Sequence, residues 1–404
     1  MEKTICELFA GVGGFRLGFD RLNTGWETTW FSQWEPGART QWAHLCYLAH
    51  YGDSLDKNGE THTCEDIGLV KKENIPDHNL LVGGFPCQDY SVAHSLTSSK
   101  GIEGKKGVLW WQIRDTIIAK HPPFCLFENV DRLLKSPAKQ RGRDFAVILA
   151  CLNELGYDVE WRVINAALYG AAQRRRRTFI FAYKRNTHYA NSVAAFDSYS
   201  MINEHGFFAQ EFAIEPTFMI KDVVLPSDIV KVSDTFKFDF ENAGYMVNGT
   251  IYTADVNEIE EAPITLGAIL QTNVKNEFYI PVDKMSKWTY LKGSKKIPRK
   301  SADGHEYVFS EGPIAFPDSW DKPARTMLTS ESTLNRSTHV VSDPGTGRLR
   351  LLTPVETERL QGFDDDWTNT GMPNRMRYFC MGNALVVPMI TRMGKTIDKI
   401  FDEE

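Results

Sequence analysis

The sequence predicts an α/β protein built on a Rossmann-like, mostly parallel sheet, with a second, mostly β or irregular region inserted into it. Over the first 185 residues, short apolar runs alternate with amphipathic stretches, which is the pattern of strand–helix–strand units. From residue 186 to about 350 the helical periodicity fades, and short aromatic and β-branched segments lie between Gly, Pro, Asn and Asp. The alternation resumes at Thr353, where Thr-Pro-Val-Glu is typical of a helix N-terminus with proline in first position.

The expected elements follow from these periodicities in chain order. Strands are expected at residues 4–9, 30–34, 79–82, 124–127, 159–164 and 178–183, and helices at 15–22, 38–49, 108–120 and 144–155. In the inserted region, short strands are expected at 235–240, 250–252, 277–280 and 306–309, and a last helix follows residues 382–387. Because strands alternate with helices, the sheet should be covered by helices on both faces.

Composition places the chain among soluble globular proteins of two or three domains. It has 404 residues, of which 42% are hydrophobic and 24% charged, which is enough apolar surface to exclude disorder as the main state. No run approaches the roughly 18 apolar residues of a membrane span. The first residues lack a signal-peptide pattern, so a cytoplasmic location is expected.

Seven cysteines are present, at positions 6, 46, 64, 87, 125, 151 and 380. Their number is odd, their spacing is wide and no Cys-x-x-Cys occurs, so neither a disulfide framework nor a structural zinc site is expected. Most should be small buried apolar residues in a reducing compartment. No metal ion is expected elsewhere in the protein.

A glycine-rich turn follows the first predicted strand. In Phe-Ala-Gly-Val-Gly-Gly (residues 9–14) the glycines let the backbone pass close to a ligand, and the next helix offers free N–H groups. Glu35, after the second strand, can accept hydrogen bonds from ribose hydroxyls. The order Gly-x-Gly-x-x-Gly is absent, which disfavours NAD or FAD and favours a nucleoside-bearing ligand without pyrophosphate. A tight strand-to-helix turn explains the glycines alone nearly as well.

A cysteine follows the third predicted strand. The run Gly-Gly-Phe-Pro-Cys-Gln (residues 83–88) holds Cys87 on stiff backbone at the carboxyl edge of the sheet, where parallel sheets bind ligands. A buried apolar cysteine is the alternative, and the position at the sheet edge favours a thiolate nucleophile. Residues 91–106, rich in Ser, Gly and Lys, are expected to form a loop that closes over a substrate.

Two further polar runs lie at strand ends. Glu128, in Glu-Asn-Val, can be protonated by its surroundings and then bond a ring nitrogen, although strand-end Glu and Asn are also common turn formers. The run Gln-Arg-Arg-Arg-Arg (residues 173–177) precedes the strand at 178–183. If the strand periodicity reaches back, Arg175 and Arg177 share one side and face the sheet edge together; a solvated charge run is the alternative.

Taken in order, these runs resemble the DNA (cytosine-5) methyltransferase family. The four runs are joined by Arg-Leu-Gln-Gly-Phe (359–363) and Gly-Asn-Ala-Leu-Val-Val-Pro (382–388), and the resemblance covers roughly residues 1–185 and 320–404. It implies a class I methyltransferase fold, with residues 1–185 and 351–404 as the catalytic domain and 186–350 as an inserted target-recognition domain. It also implies S-adenosyl-L-methionine as cofactor, which has an adenosine and no phosphate, and S-adenosyl-L-homocysteine as product.

The resemblance assigns roles to individual residues. Cys87 would attack C6 of a cytosine, Glu128 would bond N3 and the exocyclic amine, and Arg175 and Arg177 would hold the carbonyl oxygen and a nearby phosphate. Because C5 and C6 are hidden in a duplex, the target base must be flipped out. The residues implied for cofactor binding are Phe9, Gly11, Gly13, Gly14, Glu35, Asp66, Ile67, Gly84, Leu109 and Asn383. The residues expected to contact DNA are Gln88, Ser91, Gln173, Lys292, Lys295, Lys296 and Arg325.

Three positions depart from the family's usual pattern. Glu7 stands where Asp usually precedes Leu-Phe-Ala-Gly, Pro36 stands where an aromatic residue often follows the acidic one, and Ala384 stands where Ser often follows Gly-Asn. Each departure is expected to weaken cofactor affinity without abolishing the chemistry.

A basic surface is expected although the net charge is −6. Residues 284–300 hold seven basic residues and no acidic one, with Trp288 and Tyr290 among them. Beside a base-flipping domain, this stretch favours a phosphate-tracking surface over a solvated loop. The expected partners are double-stranded DNA and a cognate restriction endonuclease acting on the same site. The chain is expected to be a monomer from a prokaryote or a phage.

Other function classes fit the sequence less well. An RNA cytosine-5 methyltransferase of the tRNA type has similar motifs, but the long inserted region favours sequence-specific recognition of a duplex. A catalytically silent DNA-binding protein would lack Cys87 or Glu128, and both are present. A dinucleotide oxidoreductase is disfavoured by the order of the glycines.

Overall fold

The computed structural model describes residues 1–85, 109–301 and 304–404. The strands of these residues are β1 (Thr4–Leu8), β2 (Glu27–Ser32), β3 (Leu80–Gly84), β4 (Phe124–Val130), β5 (Tyr157–Asn165), β6 (Gln173–Arg174), β7 (Arg176–Lys184), β8 (Ile220–Val224), β9 (Ala243–Val247), β10 (Thr250–Ala254), β11 (Lys295–Lys300), β12 (Glu306–Glu311), β13 (Ala324–Arg325), β14 (Val340–Ser342) and β15 (Leu349–Leu351). Nine of them form one sheet, in the order β2-β1-β3-β4-β7-β5-β9-β10-β8.

Helices surround this sheet and also fill the inserted region. Their bounds are α1 (Gly14–Asp20), α2 (Trp42–Tyr51), α3 (Leu109–Lys120), α4 (Arg143–Glu154), α5 (His188–Val193), α6 (Ser198–Ser200), α7 (Ile229–Thr235), α8 (Leu266–Ile269), α9 (Met285–Lys292), α10 (Pro354–Gln361), α11 (Asn374–Asn383) and α12 (Val387–Glu403). Within the described parts of the chain, none of these helices has both the length and the apolar composition needed to cross a bilayer.

The first half of the sheet is parallel. Strand β1 pairs with β2 and β3, and β3 pairs with β4, all in parallel. Helices connect these strands, as the alternating pattern of the sequence predicted. The carboxyl ends of the four strands therefore meet at one edge, which we call the carboxyl edge. In this register Leu8 lies beside Gly83, and Gly84 lies beside Glu128.

The second half of the sheet is antiparallel, so the sheet is mixed. Strand β7 runs antiparallel to both β4 and β5, and β9, β10 and β8 continue in the same manner. Only residues 166–175 separate β5 from β7. A parallel crossover needs about a dozen residues or more, so this short link reverses the chain direction. The α/β class is confirmed, and within this nine-stranded sheet parallel pairing is confined to β1–β4.

Part of the inserted region belongs to this sheet. The strands of residues 220–254 extend it beyond β5, which the sequence division at residue 185 did not anticipate. Further along the chain, Ile280, Trp288 and Val340 form a separate small core. The hairpin of β11 and β12 follows helix α9, and β13 returns to pair with β6 beside the large sheet.

The C-terminal segment completes the first domain. Helix α10 begins at the N-cap Thr353 with proline in first position, as the sequence predicted, and the side chains of Thr353 and Glu356 form a capping box. Helix α12 packs on α1 so closely that a Cβ on Gly18 would lie 2.5 Å from Ile390. At the other end of this contact the Lys3 ammonium pairs with Asp398 at 2.7 Å.

Candidate active site at the carboxyl edge of the sheet

The glycine-rich loop after β1 is held in a left-handed backbone conformation. The φ angles are +55° at Phe9, +58° at Gly11 and +86° at Gly13. A Cβ on Gly13 would lie 2.8 Å from the Tyr51 ring, whereas a Cβ on Gly11 would meet no atom of the described residues within 4 Å. Glycine is thus required for packing at Gly13 and leaves open space at Gly11, where a ligand can approach the backbone.

Two hydrogen bonds, one to the loop itself and one beneath it at the end of β1, hold this region in place. The Gly11 N–H donates to Oε1 of Gln33, at the end of β2, at 2.7 Å. Below the loop, the fully buried Glu7 accepts a hydrogen bond from the Tyr47 hydroxyl at 3.1 Å. Burial raises the pKa of the Glu7 carboxyl to about 8. Glu7, the departure noted in the sequence, therefore lies under the loop and away from its open side.

Glu35 lies just beyond β2 with its side chain half-buried. Its backbone N–H donates to Gln41 Oε1 at 2.7 Å, and Gln41 Nε2 donates back to its carbonyl at 2.9 Å. These bonds fix the main chain, while the carboxylate has no hydrogen bond or ion pair among the described residues. Burial raises its pKa. A half-buried carboxylate without a protein partner is suited to accept hydrogen bonds from hydroxyl groups of a ligand.

The other predicted cofactor residues border the same edge. The side chain of Asp66 accepts a hydrogen bond from the Gly68 N–H at 2.9 Å, and Ile67 is buried. Leu109 begins α3 and is half-buried, and Asn383 ends α11 and is exposed. The side chain of Asn383 makes no hydrogen bond within the described part of the chain. Gly14, at the start of α1, packs against Leu385, which brings the C-terminal segment to the loop.

The carboxylate of Glu128 is paired with a guanidinium. Glu128 follows the buried part of β4, and Arg177 lies at the start of the antiparallel β7. Arg177 Nε donates to Glu128 Oε1 at 2.8 Å, with side chains 19% and 14% exposed. On the other side, a Cβ on Gly84 would lie 3.3 Å from Glu128 Oε2. The pair therefore faces the opening above the end of β3, from which the chain continues toward Cys87.

Arg175 does not lie in that opening. Its side chain is 2% exposed, and its guanidinium donates to the carbonyl oxygens of Met327 at 3.3 Å and Gly382 at 3.1 Å. Burial, and after it the nearby charge of Arg177, lowers its pKa to about 9. Only Arg177 of the two arginines meets Glu128 in an ion pair, so the prediction that both face the edge together is wrong for Arg175. Arg175 instead joins the end of the inserted region to α11.

Gln173 has the same bracing role, which contradicts the prediction that it contacts DNA. The residue is fully buried. Its Nε2 donates to the Leu360 carbonyl at 3.0 Å, and its Oε1 accepts from the Met327 N–H at 3.2 Å. Both partners lie more than 150 residues away along the chain. The run of basic residues around Gln173 therefore does not predict these two partners.

The basic stretch of residues 284–300 divides into buried and exposed cations. The Lys292 side chain is 2% exposed and donates to the Thr338 carbonyl, and burial lowers its pKa to about 8. The prediction that Lys292 contacts DNA phosphate is therefore wrong. Lys295 is half-buried, 4.7 Å from the centre of the Tyr290 ring, whereas Lys296 is exposed. Both of these cations lie on the β11–β12 hairpin, outside the small core.

Arg325 is occupied by an ion pair. Its Nε donates to Asp318 Oδ1 at 2.9 Å and its Nη2 to Oδ2 at 3.1 Å, and its Nη1 donates to the Ser337 carbonyl. The side chain is 22% exposed. This bidentate arrangement holds the inserted region together and leaves little of the guanidinium for phosphate, so Arg325 is not the free surface cation that the sequence predicted.

One residue that the sequence reasoning left without a role is Asn129. It is 1% exposed and its Nδ2 donates to the carbonyl of Phe85 at 2.9 Å. It thereby fixes the last described residue before the Pro-Cys-Gln run. Its position directly after Glu128 in Glu-Asn-Val was the available signal. Cys87, Gln88, Ser91 and the predicted loop at 91–106 lie outside the described residues.

Comparison with known proteins agrees with this arrangement. The sequence pattern of the C-5 cytosine-specific DNA methylase family matches residues 3–399. The type II methyltransferase M.Sau3AI of Staphylococcus aureus is 53% identical over 403 residues, which cover 98% of this chain and 95% of that protein. The type II methyltransferase M.Bsp6I of Bacillus sp. (strain RFL6) is 27% identical over 400 residues, which cover 98% of each chain.

Solved structures extend the likeness to the fold. The methyltransferase EhMeth of Entamoeba histolytica has a TM-score of 0.58 at 14% identity, over 100% of this chain and 99% of that one. The Dnmt2 methyltransferase of S. pombe has a TM-score of 0.58 at 13% identity, over 99% of this chain and 98% of that one. At these identities the likeness bears on the fold alone. On the evidence of its sequence, the chain belongs to the C-5 cytosine-specific DNA methylase family and is a DNA cytosine-5 methyltransferase.

Proposed function

We propose that this enzyme methylates C5 of a flipped-out cytosine in a specific duplex sequence through a covalent bond between Cys87 and C6. The observation that carries the proposal is the Glu128–Arg177 pair, 2.8 Å apart at the carboxyl edge of the sheet. Glu128 lies beside Gly84, which precedes Cys87 by three residues of sequence. A carboxyl group and a guanidinium thus lie at the edge toward which the sequence run carrying the proposed nucleophile Cys87 leads.

The residues of the edge fit S-adenosylmethionine. The open backbone at Gly11 and the unpaired, half-buried carboxylate of Glu35 are the features of a site for an uncharged ribose and an amino-acid end. Phe9 and Ile67 would hold the adenine between apolar surfaces, and Asn383 would line the remainder. When bound, the cofactor supplies an electrophilic methyl group.

The side chains at the edge would act on the cytosine in sequence. The Cys87 thiolate would form a bond to C6, and the electron pair of the C5–C6 double bond would move to C5. C5 would take the methyl group as the bond between that group and the cofactor sulfur breaks, which leaves S-adenosylhomocysteine. Glu128 hydrogen-bonds N3 and the exocyclic amine, and Arg177 holds the carbonyl oxygen, so both offset charge that develops on the ring. A base then removes the C5 proton, the double bond re-forms, and the S–C6 bond breaks to return the thiolate.

Recognition of the duplex would fall to the inserted region. We assign residues 186–350 to a target-recognition domain and the remainder to the catalytic domain. Within the former, we assign phosphate contacts to the exposed Lys296 and to Lys295 on the β11–β12 hairpin. The relatives named above are type II methyltransferases. We infer from them that a restriction endonuclease of the same specificity accompanies this enzyme in a bacterial cytoplasm, and that the enzyme acts as a monomer.

The test is methyl transfer from labelled S-adenosylmethionine to duplex DNA by the wild type and by Cys87→Ala. We expect transfer to be lost in Cys87→Ala and retained in Cys64→Ala, since Cys64 is an exposed cysteine that has no part in the proposed chemistry. Duplex DNA containing 5-fluorocytosine should trap the wild type covalently, because fluorine does not leave as a proton. Undiminished transfer by Cys87→Ala, or trapping that survives it, would contradict the covalent mechanism.

A further inference from the structure

A cluster of metal-ligand side chains lies outside the methyl-transfer site, in the loop between α2 and β3. One ligand atom each from Asp56, Glu60 and His62 lies within 4.8 Å of the others. His62 Nε2 contacts Glu60 Oε2 and lies 3.9 Å from Asp56 Oδ2. Ligand atoms that share one cation at 2.0–2.2 Å lie about 3 to 4.4 Å apart. The three side chains therefore have the spacing of a first coordination sphere after small movements of the exposed Glu60.

The strongest sign of a ligand is the carboxylate of Asp56. Its side chain is 2% exposed, and its Oδ1 accepts from the backbone N–H groups of Asn58 and Glu60 at 2.8 and 2.9 Å. Its Oδ2 is also buried, but it has no hydrogen-bond partner in the described residues and faces the His62 ring. An unpartnered buried carboxylate oxygen is costly unless a cation or a donor occupies the space in front of it.

A fourth residue orients the histidine. His62 Nδ1 contacts Glu65 Oε1. When Nδ1 of a neutral histidine donates to a carboxylate, Nε2 carries the free electron pair that can bind a metal. This carboxylate–histidine arrangement is usual around protein-bound metals. Glu65 therefore directs Nε2 of His62 toward Asp56 and Glu60.

The loop that carries the cluster is anchored to the catalytic sheet. Trp30 Nε1 donates to the Thr61 carbonyl at 2.9 Å, and the Gln33 N–H donates to the Thr63 carbonyl at 2.8 Å. These bonds hold the main chain on both sides of His62. The ligands are thus held in place by bonds that do not depend on a cation, as a binding site requires.

We propose that Asp56, Glu60 and His62 bind one divalent transition-metal cation, with Glu65 as the residue that orients His62. One imidazole and two carboxylates form a donor set suited to such a cation, with water completing the sphere. The site is separate from the methyl-transfer chemistry and rests on no part of the function proposed above. Its cation would stabilise the loop that leads directly to Asp66 and Ile67.

The experiment uses Mn²⁺ as the probe, because it binds thiols weakly and the chain has seven cysteines. Chelator-treated full-length protein without a tag or DNA is titrated with Mn²⁺, and free Mn²⁺ is measured by electron paramagnetic resonance. We expect saturable binding of one ion per chain. Asp56→Asn and His62→Ala should each weaken it by about tenfold or more, and Glu65→Gln by about tenfold with the stoichiometry kept.

The matched control is His205→Ala, which removes an exposed histidine 3.8 Å from a single carboxylate, Glu204. It should leave Mn²⁺ binding unchanged. Glu60→Gln is a second ligand variant whose result does not depend on the folding of the loop, since Glu60 is exposed and its replacement should not unfold the loop. The proposal is overturned if no single saturable site is found, or if Mn²⁺ binding is the same in Glu60→Gln and His62→Ala as in the wild type. In that case a proton on His62 holds the carboxylates together instead.

Discussion

Replacing Arg350 by methionine is expected to lower the free energy of unfolding by about 3–5 kcal/mol. The guanidinium is fully buried between two carboxylates. Its Nη1 and Nη2 donate to the two oxygens of Glu356 at 2.8 and 2.7 Å, and its Nε donates to Asp343 at 2.9 Å. The magnitude comes from the two carboxylates that methionine would leave unpaired in the interior, more than from the energy of the ion pairs themselves.

The assay is equilibrium unfolding in urea, with Arg348→Met as the matched control. Arg348 lies two residues earlier but is exposed, and its guanidinium stacks on the Tyr279 ring at 4.1 Å. Its loss should cost less than about 1 kcal/mol. An Arg350→Met protein that unfolds within about 1 kcal/mol of the wild type would refute the argument that the buried carboxylates depend on this guanidinium.

The ion pair between Arg350 and Asp343 also predicts that the stability of the protein depends on pH. Burial by itself would raise the pKa of Asp343, but hydrogen bonds from Arg350 and from the Thr346 N–H outweigh it and hold the pKa below its ordinary value of 3.8. A carboxyl group with a depressed folded pKa contributes stability above the unfolded pKa and loses it as the pH falls through the folded one. The difference between wild type and Arg350→Met should therefore narrow below about pH 4.

Four further predictions concern the Glu128–Arg177 pair, the inserted region and the glycine-rich loop. Arg177→Met should lower the rate of methyl transfer by about 10²-fold, whereas the exposed Arg176→Met should change it by less than about threefold; equal losses would contradict the role given to the Glu128 pair. Lys296→Met should reduce the slope of log DNA affinity against log salt by about 0.9, and Lys292→Met should leave that slope unchanged. A reduced slope in Lys292→Met would mean that Lys292 contacts DNA phosphate after all. Because the pKa of Lys292 is lowered to about 8, the wild type should gain stability as the pH rises from there toward 10.5, and Lys292→Met should not show that gain in urea unfolding. Gly13→Ala should lower the free energy of unfolding by about 1–3 kcal/mol, because its φ is +86° and the added Cβ would lie 2.8 Å from an aromatic ring, and an unchanged melting temperature would count against this packing.

Local patterns were sufficient to predict the parallel half of the fold and the polar residues at its strand ends. Periodicity marks a buried strand, and the first polar residue after it, such as Glu128, lies at an edge that parallel pairing fixes. The capping box at Thr353 is likewise encoded within four residues. Such features depend on neighbours in sequence, so they are visible before the chain is folded.

Partners distant in sequence account for the predictions that were wrong. Arg175 and Gln173 bind carbonyl oxygens of residues 327, 360 and 382, and Lys292 binds that of Thr338. No spacing rule reveals which basic side chain in a run will meet a free carbonyl after folding. The antiparallel strands of residues 220–254 pose the same difficulty, because they join the sheet through β9, whose partner β5 ends more than 70 residues earlier.

The reversed direction of β7 has a consequence for how the edge is supplied with side chains. A parallel strand offers the edge only the residues that follow it, whereas an antiparallel strand offers those that precede it. Had β7 run parallel to β4 from the same end, Arg177 would lie beside Cys125 near the start of β4, about 10 Å along the strand from Glu128. Because β7 is antiparallel to β4, the guanidinium of Arg177 at the start of β7 can contact the carboxylate of Glu128 near the end of β4, although the sheet is then no longer parallel throughout.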